Sequence, residues 1–409
     1  MSEISDMIQR LCPDGVEYRK LKDVCDKIFT GGTPSTSNKS YYDGDIPWIR
    51  SGEVDFNVIR TAERNITQEG LDNSSAKWIK KNSVVIAMTG ATVAKSAVVE
   101  FETTANQSVA ALEPSNKLDY KFLYYYVSSQ YQQIKGMAQG ALTSINLQII
   151  KDIEIPVPPL EVQRKIVEYL DNFSELTAEL TAELTARQKQ YEYYCDNLLN
   201  FNRGGGQVTS DVKWMKLGEV GMFIRGNGIQ KKDFQDSGVG CIHYGQIHTH
   251  YHTSTDVTVS FISEELAKKS KKAQYGDLII ATTSEDAEGV CKAVAWLGEE
   301  EIAISGDAFI YRHSMNPKYV AYIFQTSRFL KHKIQYSTGA KVVRMSADNM
   351  AKFIIPIPPL AEQERIVSIL DRFEALTTDL TSGLPAEIKA RQQQYEYYRD
   401  QLLTFKRAN

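Results

Sequence analysis

Cysteine is scarce in this chain: Cys12, Cys25, Cys195, Cys241 and Cys291 are the only five in 409 residues. The set is odd in number, scattered and without a C-x-x-C pair. It excludes a disulfide framework and suits reduced thiols in the cytoplasm. No apolar run approaches a membrane span, and the opening Met-Ser-Glu-Ile-Ser-Asp has no basic signal-peptide region, so no membrane association is expected. Neither sign of charge predominates, with 47 Lys and Arg against 51 Asp and Glu. That balance argues against a uniformly basic nucleic-acid binder. The acidic excess lies in residues 152–203, and the stretches on either side are neutral or nearly so, which leaves room for a local basic face. Composition is otherwise ordinary for a globular protein, and the length allows two domains, each with its own core.

Signatures of catalysis are missing too. A methyltransferase acting on an adenine or cytosine amino group needs an Asn/Asp-Pro-Pro-aromatic loop. Here Pro158-Pro159 and Pro358-Pro359 follow Val157 and Ile357 and precede Leu160 and Leu360, so nothing accepts the amino hydrogen. No G-x-G-x-x-G follows a strand and no G-x-S-x-G elbow occurs. Pro13-Asp14 and Glu17-Tyr-Arg-Lys20 have the wrong spacing for a nuclease metal site. The run from Gly90 to Ser96 imitates a phosphate loop, but Ala94 stands where a glycine should precede Lys95. A loop lysine beside backbone amides is better suited to a DNA phosphate. Of His243, His248, His250 and His252, with Cys241 nearby, the last three would share one face of a strand, and three imidazoles can hold zinc. The other reading is a polar loop or groove-facing strand in which the imidazoles and Tyr251 make hydrogen bonds. It is preferred, because the first half of the chain has nothing equivalent and no metal site is expected.

What the chain does have is a repeat. Residues 155–171, with Pro-Val-Pro-Pro-Leu-Glu-Val-Gln at 156–163, return as 355–371 with Pro-Ile-Pro-Pro-Leu-Ala-Glu-Gln at 356–363. The Gln-Tyr-Glu-Tyr-Tyr of 190–194 returns at 394–398. A period of half the chain means two copies of one unit, a variable globular part followed by a helical part. Each proline pair ends a strand and opens a helix. From Leu160 the apolar positions include Ile166, Leu170, Leu176, Leu180, Leu184 and Tyr191, and in the second copy Leu360, Leu370, Leu376, Leu380 and Tyr395. Their steps of three, four and seven describe helical stripes. Pro385 breaks or kinks the second one. Two stripes that cannot bury themselves predict antiparallel pairing of the helices; the alternative is that each merely caps its own domain.

The globular parts align loosely. Residues 83–89, ending in Thr89, match 277–283, ending in Thr283; residues 140–145, with Ser144, match 339–344. Asn106-Gln107 sits where the second copy has Ser305-Gly306-Asp307. Amides can pair with adenine and arginine with guanine in the major groove; such amides equally cap loops. Arg50 stands on display after Pro47-Trp-Ile. In copy two the comparable cations are Arg225, Lys231, Lys232, Lys341 and Arg344. The basic run 268–272 suits either phosphate contact or a solvated helix face.

Together, Gly-Gly-Thr-Pro at 31–34, Ile-Pro-Trp-Ile-Arg at 46–50, the two Pro-x-Pro-Pro-Leu-x-x-Gln segments, the Gln-Tyr-Glu-Tyr-Tyr helices and the Thr-Ala-Glu-Leu tetrads resemble the DNA specificity subunit of type I restriction–modification systems. Copy two departs at its front, where Gly226-Asn-Gly228 replaces Gly-Thr-Pro and His243-Tyr-Gly-Gln246 replaces the Trp-Ile-Arg stretch. The resemblance implies an α+β chain with two α/β target recognition domains (1–155 and 204–355). Between and after them would lie two long antiparallel coiled-coil helical regions (156–203 and 356–409), the whole pseudo-two-fold symmetric. It implies a non-catalytic subunit whose two domains each read half of an asymmetric bipartite site on double-stranded DNA. The alternatives are a stand-alone DNA-modifying enzyme or a structural coiled-coil adaptor. DNA contacts would fall on Thr33, Arg50, Thr89, Lys95, Asn106, Gln107 and Ser144 in the first domain. In the second they would fall on Arg225, Lys231, His243, Gln246, Thr283, Lys341 and Arg344. The helices, with Gln163 and Gln363 beside the leucines and tyrosines already named, would set the spacer and dock two methylation subunits, with restriction subunits outside. S-adenosylmethionine, ATP and Mg2+ would be bound by those partners and not by this chain.

Overall fold

A computed structural model of the chain describes residues 2–138, 144–201, 211–339, 341–378 and 383–408. It forms two compact units: Met1–Glu179 with Ile388–Asn409, and Leu180–Glu387.

Unit 1 is organised around a five-stranded sheet in the spatial order Cys25–Thr30, Val109–Pro114, Ser83–Ala87, Ser96–Val99 and Asn57–Ile59. The central strand, Ser83–Ala87, is buried along its whole length. Its side chains alternate between two cores, as the two-residue period of a strand requires. Val84 and Ile86 face a core shared with the helices, while Val85 and Ala87 face the opposite core. A three-stranded sheet of Asn65–Ile66, Tyr42–Ile49 and Thr104–Ala105 lies beyond. The strand Tyr18–Lys20 pairs antiparallel with Glu154–Pro156, just ahead of the first proline pair.

Unit 2 repeats this plan with different residues. Its five-stranded sheet runs Gly221–Arg225, Ala308–His313, Leu278–Ala281, Ala293–Trp296 and Ser254–Thr255. Leu278 and Ile280 face the helix-side core, and Ile279 and Ala281 face the other. The strands Lys213–Lys216 and Ile354–Ile357 pair as their counterparts do.

The helix Leu160–Asn200 runs for 41 residues and contributes its first half to unit 1 and its second to unit 2. In the second copy the helical region comprises Leu360–Thr378 and Leu384–Leu402. Pro385 lies in the first turn of the latter, where its missing N–H costs no hydrogen bond; Ala386 and Glu387 donate back to the Gly383 carbonyl. Inside unit 1, Phe173 packs on Tyr398 with ring centroids 5.5 Å apart. Inside unit 2, Phe373 stacks on Tyr194 at 5.2 Å. Each unit thus pairs the proximal helix of one copy with the distal helix of the other. The C-terminal segment also closes the unit 1 core: Leu402, Leu403 and Phe405 pack with Ile4, Val16 and Phe122, and Ala408 N–H donates to Val16 O at 2.9 Å.

The apolar stripe is less buried than its spacing implies. Val162, Ile166, Val167 and Leu170 are fully or nearly buried. Leu160 is half-buried, and Leu360, Leu176 and Leu376 are exposed. Leu180, Leu184, Tyr191 and Tyr395 are half-buried, and Leu380 lies outside the described residues. Val162, Ile166, Val167 and Leu170 therefore meet the globular part, as Tyr395 does in unit 1 and Tyr191 in unit 2.

Candidate nucleic-acid interface

Each globular part is fastened to its helix by the same buried polar latch. Gln163 and Gln363, expected on a surface that meets other subunits, are instead buried. The Gln163 carbonyl accepts from Asp119 N–H at 2.8 Å, while its NH2 donates to Lys117 O and Pro158 O at 2.9 and 2.7 Å. Gln363 accepts from Asn316 N–H at 2.9 Å and donates to Pro358 O at 2.9 Å. Asp119 and Asn316 in turn cap the next helices, Tyr120–Ser129 and Pro317–Ile323. Eight residues on, Asp171 accepts from Lys121 Nζ and Tyr125 OH, both at 2.6 Å; Asp371 accepts from Lys318 Nζ and Tyr322 OH at 2.9 and 2.6 Å. The motif glutamines belong to the fold because buried amides must find partners.

Beyond the latch, candidate residues from distant stretches gather along one sheet edge in each unit. In unit 1, Thr33 Oγ1 hydrogen-bonds the exposed Gln107 amide, and Trp48 Nε1 donates to Gly32 O at 3.0 Å. Asn106 N–H donates to Ile49 O at 3.0 Å, next to Arg50. Thr92 Oγ1 donates to Ser51 O at 2.7 Å, which brings the Lys95 turn alongside. Thr89 and Ser144 form an antiparallel bridge at the same edge.

Unit 2 gathers its own set. Arg225 Nε donates to Gly306 O at 3.1 Å, Ser305 N–H to Ile242 O at 3.2 Å, and Tyr244 N–H to Ser305 Oγ at 2.9 Å. Thr283 and Arg344 are paired across strands, in the place of Thr89 and Ser144. Arg344 and Lys341 stand exposed, as do Arg225, Lys231 and Lys232.

Several of the expected contact residues already have partners within the chain. Arg50 Nη2 is engaged by Glu63 at 2.5 Å, and Lys95 Nζ by Asp55 Oδ1 at 2.5 Å. Three amides of the Lys95 turn are also occupied: Val93, Ala94 and Lys95 donate to Gly90 O, Ala87 O and Thr92 O. Asn106 Oδ1 accepts from Ser108 N–H at 3.2 Å, the loop-capping role. Thr283 is buried, its hydroxyl without a partner among the described residues.

His243 is buried too, and of the three histidines expected on a strand, His248 lies in the helix Tyr244–Thr249 while His250 and His252 lie beyond its end. His243 caps that helix through Nδ1, which accepts from Gly245 N–H at 3.2 Å. Gln246 returns the bond, accepting from His243 N–H at 2.9 Å, and donates to Ser260 Oγ at 2.7 Å. Burial, then the nearby Lys231 charge, lowers the His243 pKa. His248 Nε2 donates to Thr283 O at 2.9 Å. The imidazoles are thus separated, and no group of three or more His, Cys, Asp or Glu among the described residues is placed to hold a metal. A polar residue three positions before Gln246 is a capping-box signal legible in the sequence. Glu53 does the same for Arg50 N–H at 2.8 Å.

Two further residues were missed. Lys292 follows Cys291, a left-handed residue (φ 62°) like Ala94 (φ 66°), and so matches Lys95. Its half-buried ammonium reaches His248 O at 3.4 Å, and burial lowers its pKa. Asn227 matches Gly32, since Gly32 N–H donates to Ala105 O and Asn227 N–H to the equivalent Ile304 O. The Lys292 match has a signal in the sequence, Val93-Ala-Lys95 against Val290-Cys-Lys292; the Asn227 match follows only from the backbone bonds.

The fold and these edges define a duplicated α/β reader latched to paired helices. Comparison with known proteins agrees. The family model described as type I restriction modification DNA specificity domain matches residues 13–187 and 209–390. A Haemophilus influenzae protein assigned as a type I restriction enzyme specificity subunit is 31% identical over 408 residues, covering 95% of this chain and 96% of its own. A type I restriction enzyme specificity subunit of Escherichia coli is 32% identical over 318 residues, covering 75% and 77%. Among solved structures, the Mycoplasma genitalium type I restriction–modification S subunit superimposes with TM-score 0.52 at 15% identity, covering 95% of each chain. A chain from a study of type I restriction–modification complex assembly reaches 0.64 at 19% identity, covering 95% and 97%. The chain belongs to the type I restriction–modification DNA specificity family and is a specificity subunit, a DNA-recognition component without catalysis of its own.

Proposed function

We propose that each unit reads one half of an asymmetric bipartite sequence on double-stranded DNA, with the recognition domains at residues 1–155 and 204–355. The helical regions at 156–203 and 356–409 set the spacer and dock two methylation subunits, and restriction subunits complete the assembly. S-adenosylmethionine, ATP and Mg2+ act in those partners, in the cytoplasm. The observation that carries this reading is that the five-stranded sheet order and the core of the latch recur in both units while the edge residues differ. Like scaffolds with different edges suit two different half-sites. Among the described residues no helix is long and apolar enough to cross a membrane.

Mapping methylated adenines in a host expressing this chain with its partners tests the reading. The expected result is one bipartite motif with unlike halves. Replacing residues 25–150 with those of a relative should change one half only; a change in both halves would refute the assignment.

Docking is supported by a repeated exposure: Tyr193 and Tyr397, at the same place in both Gln-Tyr-Glu-Tyr-Tyr segments, are 66% and 62% exposed. Large exposed aromatics suit interface centres. Tyr193→Ser with Tyr397→Ser should lower the number of bound methylation subunits in native mass spectra. An unchanged stoichiometry places docking elsewhere.

A further inference from the structure

Asn227 does something in unit 2 that its unit 1 counterpart, Gly32, cannot. A Cβ on Gly32 would lie 2.3 Å from Ala76 N and from the Ser75 carbonyl carbon, so the strip at 74–78 packs directly on that glycine. In unit 2 the matching strip is held off by a side chain. Asn227 Nδ2 donates to Lys269 O at 2.9 Å, and its Oδ1 accepts from Lys271 N–H at 2.6 Å. One amide thus brackets Ser270 and fixes the end of the helix Glu264–Lys269 against the turn at 226–228. The strip so held reads Lys268-Lys-Ser-Lys-Lys272, where unit 1 has Ser74-Ser-Ala-Lys-Trp78, with Lys77 opposite Lys271.

The charges on this strip are not equally available. Lys269 lies 3.5 Å from Glu265 and Lys272 3.9 Å from Glu301. Lys268 and Lys271 are exposed and form no ion pair among the described residues. The exposed Lys231 and Lys232 follow on the same turn. A pinned backbone carrying two uncommitted ammonium groups, beside the edge that gathers Arg225 and Ser305, has the chemistry of a phosphate clamp: contacts to phosphate fix position without reading sequence.

We propose that Lys268 and Lys271 bind the DNA phosphate backbone and that Asn227 is the positioning residue that aims them. Unit 1 has only Lys77 on the matching strip and no amide in the place of Asn227 to hold it, so the two half-sites are held with unequal dependence on salt. This rests on the DNA-reading assignment made above.

The test uses the full chain assembled with its methylation subunits and a duplex carrying the methylated sequence found by mapping. Affinity is measured across salt concentrations for the parent and for K268Q/K271Q. With about 0.9 counterion released per phosphate contact, the log–log slope should become shallower by about 2, with the methylated sequence unchanged. K268R/K271R should restore the parent slope. N227A should flatten the slope in the same direction, and adding it to K268Q/K271Q should flatten it little further. A merely structural role for Asn227 would lower melting temperature and leave the slope alone. An unchanged slope in K268Q/K271Q, or an altered half-site, overturns the clamp while DNA reading stands. A parent complex that methylates no bipartite sequence overturns the DNA reading itself.

Discussion

Against its helix each unit uses the same side chains; at its reading edge it does not. Gln163 and Asp171 in unit 1 have Gln363 and Asp371 as their counterparts, with matching partner groups except that Gln163 also donates to Lys117 O. At the edge, Arg50 is tied down by Glu63 while His243 in its place is buried as a helix cap. Even the charge on the inner strand is reversed. Glu113 pairs with Lys80 at 3.2 Å in unit 1, whereas Arg312 pairs with Asp277 at 2.7 Å in unit 2. A latch must satisfy buried backbone groups in one geometry, so few residues serve. An exposed edge has no such requirement and is free to diverge with its target.

The largest break in this comparison should come from the latch. Gln163→Ala leaves one buried N–H and two carbonyls without partners and should cost about 3 kcal/mol in urea unfolding of unit 1. Gln363→Ala leaves one of each and should cost unit 2 about 2 kcal/mol. Equal, negligible losses would show that water replaces the amide.

Acid should separate the units next. Burial holds the His313 imidazole down to about 4, from an ordinary 6.5. Pro114 stands at the matching position of unit 1, since Leu112 and Tyr311 occupy equivalent registers. The folded chain keeps His313 neutral while the unfolded chain takes a proton, so this stabilisation is complete above pH 6.5 and is lost as pH falls toward 4. Unit 2 should weaken by roughly 2–3 kcal/mol over that window, and His313→Gln should flatten the loss. A unit 1 transition falling in parallel would assign the effect to other groups.

The smallest effect belongs to the surface pair Lys95–Asp55. Lys95→Met should change unit 1 stability by less than about 1 kcal/mol, and less again at high salt. A larger loss would give Lys95 a structural part that its counterpart Lys292 does not share.

The repeat and the two-unit plan were legible because they rest on near-identical segments and on apolar periodicity. The thiols, scattered in sequence, remain unpaired in the fold. The edge was only partly legible. Thr33 with Gln107, and Thr283 with Arg344, do meet, but which side chains face outward depends on partners far away in the chain, such as Thr103 hydroxyl on Pro47 O, 56 residues apart, or His248 on Thr283 O, 35 residues apart. The histidines misled because alternation suggested a strand, while a capping bond between His243 and Gln246 made that segment a helix.

Sequence by itself determined that one unit is written twice, because duplicated apolar and polar spacing must build duplicated elements. Only the tertiary structure decided that each unit borrows its second helix from the other copy, since burial of Leu199 or Leu402 is settled by what packs on it and not by its neighbours in the chain. It also decided that the motif glutamines lie inside, because a buried amide's position is set by the backbone groups it must satisfy.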